Sequence, residues 1–310
     1  MLARIGTIAL NTYREASRAR ILYGLVGLAL ATTAYSVVVG AYTLKSAPRV
    51  VADLGAATVS IYAIAVAIML AATSLFRELE QKTIFPILAR PVRRSEYLLG
   101  KFLGNMLTLG VFIAMDAAVV LGTLAVLGGR SLALVAGIAA AATVGMILFG
   151  IRSKRLGVYA PIPWAMILLV VAALLATGHP DERRGVLGSC ALTFLEVGVV
   201  SAVATLFASF SSPFLTAIMT LGVFVVGRQA DTLTKLPVKV FGEGVHNLGV
   251  LISKVVPNLH VYVPARPLLT GEATDVAFGP YLGMASLQAL GWMVLLLVVS
   301  ALIFHRRDFL

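Results

Sequence analysis

The chain has 310 residues, of which 59% are hydrophobic and 13% charged, and its formal net charge is +11. A soluble domain carries roughly 25% charged residues, so a soluble globular protein is excluded, and no base-reading motif accompanies the positive charge to suggest nucleic acid. The only cysteine, Cys190, excludes an internal disulfide and a cysteine metal site; its expected state is that of a small buried apolar residue.

From the N-terminus, residues 1–20 place Arg4, Thr7, Asn11, Arg14 and Arg18 on one side of a helix and Leu2, Ile5, Ala9, Tyr13 and Ala16 on the other. A helix with a basic polar face lies in the membrane interface rather than across it. The apolar run that starts at Ile21 exceeds the core of a signal peptide, so cleavage is not expected. Apolar runs of about 20 residues can span a bilayer. They fall at 21–43, 54–76, 99–127, 132–150, 162–178, 190–210, 213–228 and 280–304. The predicted fold class is all-α: a polytopic helical membrane protein in a single transmembrane domain, 1–310. The alternating strands of a membrane barrel are absent.

Basic residues set the expected orientation. Arg4, Arg14, Arg18 and Arg20 precede the first span, and six more lie in 77–101, whereas the loop between the first two spans holds only Lys45 and Arg49. The N- and C-termini are therefore expected in the cytoplasm, and residues 229–279 outside. Basic loops also suit anionic lipid headgroups, so membrane lipids are expected partners. In the outer loop Val238, Phe241, Val245, Leu248, Leu251 and Val255 predict an amphipathic helix ended by Pro257-Asn258. His246 and His260 lie in the same loop and read as solvated histidines; no metal site is expected.

Residues 77–101 interrupt this apolar pattern. Glu78 and Lys82 stand four apart in the stabilising helical order, so the second span is expected to continue beyond the hydrocarbon. Thr83 is placed to cap a short helix with Ile84, Ile87 and Leu88 as its apolar stripe, and Pro91 ends it. Ser95 is placed to cap the next helix, with Glu96 near its positive end. Such an elbow either rests on the interface or docks a cytosolic partner.

Two carboxylates fall within predicted spans. Asp116 lies near the middle of its span, and Glu196 near the outer end of its own, within reach of water. Each either bonds a neighbouring helix through a Ser, Thr or backbone group, or serves as a substrate contact or proton relay. The chain has no phosphate-binding loop, His-Glu-x-x-His, Gly-x-Ser-x-Gly or cysteine pair. No catalytic residue and no enzyme activity are expected of it.

The segment "ELEQKTIFPILARPVRRSEYLLGKFLGN", residues 78–105, resembles the cytosolic coupling segment of type-2 ABC transporter permeases. Glu80, Thr83, Pro91, Val92, Arg94, Tyr97, Gly100 and Lys101 carry the likeness. "ALNTYREASRARILYGL" resembles the N-terminal elbow helix of that family, "VVPNLHVYVPARPLL" its outer segment, and "FHRRDFL" its C-terminal end. The resemblance implies six spans, so the 132–178 region reads as an added hairpin, giving about eight. It implies an exporter subunit in a bacterial or archaeal cytoplasmic membrane. It also implies cytosolic ATPase subunits that hold ATP and magnesium, and a second permease copy or a related permease. The ATPase-coupling residues so implied are Glu78, Glu80, Thr83, Ile84, Ile87, Leu88, Pro91, Arg94, Tyr97 and Lys101. An ion-gradient-driven transporter or channel, and a membrane anchor of an envelope assembly, are the alternatives.

Overall fold

The amphipathic pattern of the first residues produces α1 (Leu2–Ala16), which buries Ile5, Ala9, Thr12, Tyr13 and Ala16 against the rest of the chain. Burial pushes the Tyr13 phenol up to about 12, and its ring stacks on Tyr159 at 6.2 Å. The computed structural model describes residues 2–43, 46–80, 93–153, 156–235, 238–272 and 277–306. Twelve α-helices are found among them. The longer ones are α2 (Arg20–Ala41), α3 (Ala47–Glu80), α4 (Arg94–Leu127), α5 (Leu132–Arg152), α6 (Pro161–Leu175), α7 (Pro180–Ala208), α8 (Pro213–Arg228), α10 (Val238–Val255) and α12 (Phe278–Arg306). Short α9 (Ala230–Thr234) and α11 (Arg266–Thr270) lie on either side of α10.

Among the described residues seven helical segments are long and apolar enough to cross a membrane, and α8 is a shorter apolar helix of 16 residues. The chain is an all-α polytopic membrane protein. Its centre is α3, α4 and α7, whose Val59, Val66, Leu109, Leu121, Leu192 and Val197 are all buried. The added hairpin is present: α5 and α6 follow one another through a 3-10 turn at Gly157–Tyr159. None of α5 is buried within the chain. A helix apolar on every side suits a hydrocarbon surround.

Several boundaries differ from the sequence expectation, with one physical reason: charged residues are tolerated where a helix runs past the hydrocarbon. The spans expected to start at 54 and 99 begin at Ala47 and Arg94. The span expected at 190 begins at Pro180, with Asp181 and Glu182 in its first turn, where the helix dipole favours acids. Ser95 does not cap α4. Arg93 takes the cap position, and Glu96 accepts its backbone N–H at 3.2 Å. The short helix expected from Thr83 to Pro91 lies outside the described residues.

The chain folds back at both ends of the bundle. At the end where α1 lies, α7 and α8 are joined by a tight turn. Ser211 Oγ donates to Phe207 O at 2.7 Å and lies 2.7 Å from Thr216 Oγ1. At the far end α8 stops early, since 16 residues reach about 24 Å, short of the roughly 30 Å hydrocarbon thickness. The depth α8 lacks is filled by a returning segment. Leu259 N donates to Gly227 O at 3.0 Å, and a Cβ on Gly227 would stand 2.7 Å from Pro257 O. Leu259 and Tyr262 are buried by that return. The amphipathic helix arrives as expected in α10, with a break at Gly242 (φ 79°). It leaves Leu248, Leu251 and Val255 exposed.

Candidate functional site

Two polar clusters stand at different depths in this apolar bundle. The first gathers around the start of α4. Arg94 donates through Nη1 to Phe304 O (3.2 Å) and His305 O (2.9 Å), backbone carbonyls near the end of the described part of α12. One turn on, Tyr97 is buried and its ring stacks on Phe304 at 6.5 Å. A further turn on, Lys101 is buried, with Nζ 3.4 Å from Glu15 of α1 and 3.5 Å from Ser74 O of α3. The 94, 97 and 101 spacing puts all three on one face of α4, and that face joins α1, α3 and α12.

Close approach makes this junction possible. A Cβ on Gly104 would lie 2.5 Å from both Ala9 O and Thr12 Cβ, and one on Gly100 would lie 2.7 Å from Ile8 Cβ. α1 therefore rests directly on the backbone of α4. Of the other residues singled out for coupling, Glu78 and Glu80 belong to the last turns of α3, and their side chains are not among those described. Thr83, Ile84, Ile87, Leu88 and Pro91 lie outside the described residues.

The second cluster lies deeper. Glu196 does not reach water. α7 begins ten residues earlier than expected, so Glu196 sits near the middle of that helix and is fully buried. Arg228, the last residue of α8, meets it with a two-pronged ion pair: Nε to Oε1 at 2.7 Å and Nη2 to Oε2 at 2.8 Å. Nη2 also donates to Ser60 Oγ of α3 at 2.8 Å. The guanidinium carbon lies 5.3 Å from the centre of the Phe224 ring. The sequence placed Glu196 within reach of water and offered a Ser, Thr or backbone group as its structural partner; the partner is instead the arginine that closes the 213–228 run. The missed signal was length: an arginine closing an apolar run too short to span must lie at membrane depth.

Toward the far end, Arg266 of α11 donates to Asp53 of α3 and, at 3.3 Å, to Glu182 of α7. Asn258 donates to Asp231 at 2.8 Å, and Tyr281 donates to Val261 O. These bonds hold the returning segment in the bundle. Beneath Arg266 is a cavity of about 260 Å³ between α3, α7 and the returning segment. His260 lies 3.9 Å from Asp231. Among the described residues no group of three or more His, Cys, Asp or Glu is placed to hold a metal ion.

Asp116 on α4 is buried, and neither carboxylate oxygen has a hydrogen-bond partner among the described residues. Its surroundings include Val26, Ala29 and Leu30 of α2, Phe112 and Met115. Among the described residues the bond to a neighbouring helix that would make it structural is not there. An unsatisfied buried polar group costs about 1–3 kcal/mol, so Asp116→Val should leave the melting temperature unchanged or raised. A fall of several degrees on heating the purified protein would show that the carboxylate has a stabilising partner.

An apolar helical bundle with charged side chains held at depth and a tightly braced helical junction at one end is the architecture of a polytopic membrane protein. The family model described as ABC-2 family transporter protein matches residues 28–309, and the chain belongs to that family. No curated protein matches the chain.

Proposed function

We propose that this chain is the permease subunit of an ATP-driven exporter, coupled through residues 77–101 to a separate cytosolic ATPase that holds ATP and magnesium. A second copy of the chain, or a related permease, completes the pathway. The N- and C-termini face the cytoplasm, as the basic residues favour. The observation that carries the reading is the Arg94–Tyr97–Lys101 face. It grips α12, α1 and α3 at once, immediately after the segment that would dock. A displacement of 81–93 by a closing ATPase is thereby passed to three helices rather than absorbed in a loop. Tyr97 and Lys101 are buried in this chain's own junction, so their part is transmission, while Glu80, Ile84, Ile87 and Leu88 make the docking contact.

Two kinds of variant separate these roles. Ile87→Asp and Glu80→Lys remove contacts at the proposed interface, where the few dominant residues are each worth about 2–5 kcal/mol. Tagged permease carrying either should retain at least tenfold less ATPase at limiting concentration. Arg94→Gln should retain the ATPase yet lose transport-linked ATP hydrolysis in proteoliposomes. Undiminished ATPase retention in both docking variants, or transport that continues with no ATPase present, would sink the proposal. The second result would favour a transporter driven by an ion gradient.

A further inference from the structure

The cavity beneath Arg266 has a lining unlike the rest of the bundle. Arg228 and Arg266 contribute cations, Asp53 and Glu182 contribute anions, and Ser189 and Tyr262 contribute hydroxyls. None of the ion pairs uses up its members. Arg228 bonds Glu196 and Ser60 through Nε and Nη2, which leaves the Nη1 hydrogens. Arg266 bonds through Nη1 and Nη2, which leaves Nε–H, and Glu182 accepts through Oε1, which leaves Oε2. These spare valences hold among the described residues. The Tyr262 hydroxyl is buried without a hydrogen-bond partner. A cavity of about 260 Å³ that offers both cationic donors and anionic acceptors is built for a ligand carrying both charges.

Charge balance narrows the choice. Arg228 and Arg266 on the wall, with Arg49 beside Asp53, balance Asp53, Glu182 and the Glu196 behind Arg228. A ligand with a net charge would leave one set of these groups opposed, which is costly away from water. Guanidinium forks match phosphate oxygens, and carboxylates match an ammonium. The remaining wall is apolar apart from Ser60 and Thr193, and one member of it, Ile61 of the apolar α3, is well exposed. The cavity thus adjoins the surface that hydrocarbon covers, so a ligand seated there can leave an apolar tail in the bilayer.

We infer that this cavity is a binding site for a zwitterionic headgroup, phosphate against the arginines and ammonium against Asp53 and Glu182, carried by a membrane lipid such as phosphatidylethanolamine. Arg266 closes the mouth by bridging α3 and α7, and the site holds its ligand whether or not an ATPase acts on the permease.

The test is native mass spectrometry of the full chain in mild detergent. Equal amounts of phosphatidylethanolamine, anionic phosphatidylglycerol and an uncharged glycosyl diacylglycerol are added. Phosphatidylethanolamine should be retained at least tenfold over the other two. Glu182→Gln should cut that preference about tenfold, and Ser189→Leu, which fills the cavity and spares every ion pair, should abolish it. Arg184→Gln, on the exposed side of α7, serves as the unchanged control. If millimolar phosphoethanolamine alone displaces the lipid, the headgroup chemistry stands and the ligand can also come from solution. Equal retention of the three lipids, a preference for the glycolipid, or full retention by a monodisperse Ser189→Leu protein overturns the inference. None of these readouts involves the ATPase, so failure here leaves the coupling proposal to its own test.

Discussion

Arg228→Met is expected to destabilise the bundle by about 3–5 kcal/mol, the usual consequence of removing one partner from a buried ion pair. Glu196 would remain fully buried in the middle of α7 with its two-pronged partner gone. Ser60 would lose its donor as well. The origin of the loss distinguishes this change from an ordinary truncation. Much of it is the uncompensated carboxylate rather than the missing contact, so removing that carboxylate as well should restore stability. The double variant Glu196→Leu with Arg228→Met is expected to recover most of the loss, because apolar replacement of a whole buried pair is often neutral or better. Thermal unfolding of the three purified proteins in one detergent checks both halves. A single variant that melts with the parent, or a double variant that melts at or below the single one, contradicts the account.

Gly104→Leu is expected to lift α1 from α4. No side chain fits where a Cβ already meets Ala9 O and Thr12 Cβ at 2.5 Å, and the obstruction on α1 is partly backbone, which cannot rotate aside. Overpacking of this kind costs about 1–3 kcal/mol. Here the interface can part instead, taking Glu15 away from Lys101. A Thr12→Cys reporter, buried at 2% exposure in the parent, should be slow to react with a thiol reagent and become accessible in the Gly104→Leu background. Coupled ATP hydrolysis should fall in parallel, while ATPase retention should not. Equal labelling in both backgrounds would mean that α1 is not held by this contact.

How much of this was legible beforehand depended on whether the signal was local. The helical period of residues 1–16, the span lengths and the hairpin after residue 131 are written in consecutive residues, and the helices formed there. Helix ends were less legible, because Arg94, Asp181 and Glu182 read as loop until the helices were seen to outrun the hydrocarbon. The Glu196–Arg228 pair was not legible as a pair. Its members are 32 positions apart, and nothing in either neighbourhood names the other. Lys101 illustrates the same limit from another side. Its membership of a recognisable segment was plain, but its burial against Glu15, 86 residues away, follows only from how α1 lies on α4.

The shortness of α8 bears on how the protein is made. A nascent helix of 16 residues ending in arginine partitions poorly into a bilayer alone, because an arginine opposes insertion, by roughly 2.5–3.5 kcal/mol at the helix centre and by less toward its ends. α7 precedes it by only the 209–212 turn and already carries the matching carboxylate. The two helices are therefore expected to leave the insertion machinery as one hairpin, with the ion pair formed during synthesis rather than after it. The returning segment follows later in the chain and seals a gap that is open while the ribosome is still at work. Quality-control proteases that survey unfinished membrane proteins would meet this protein at its most vulnerable in that interval.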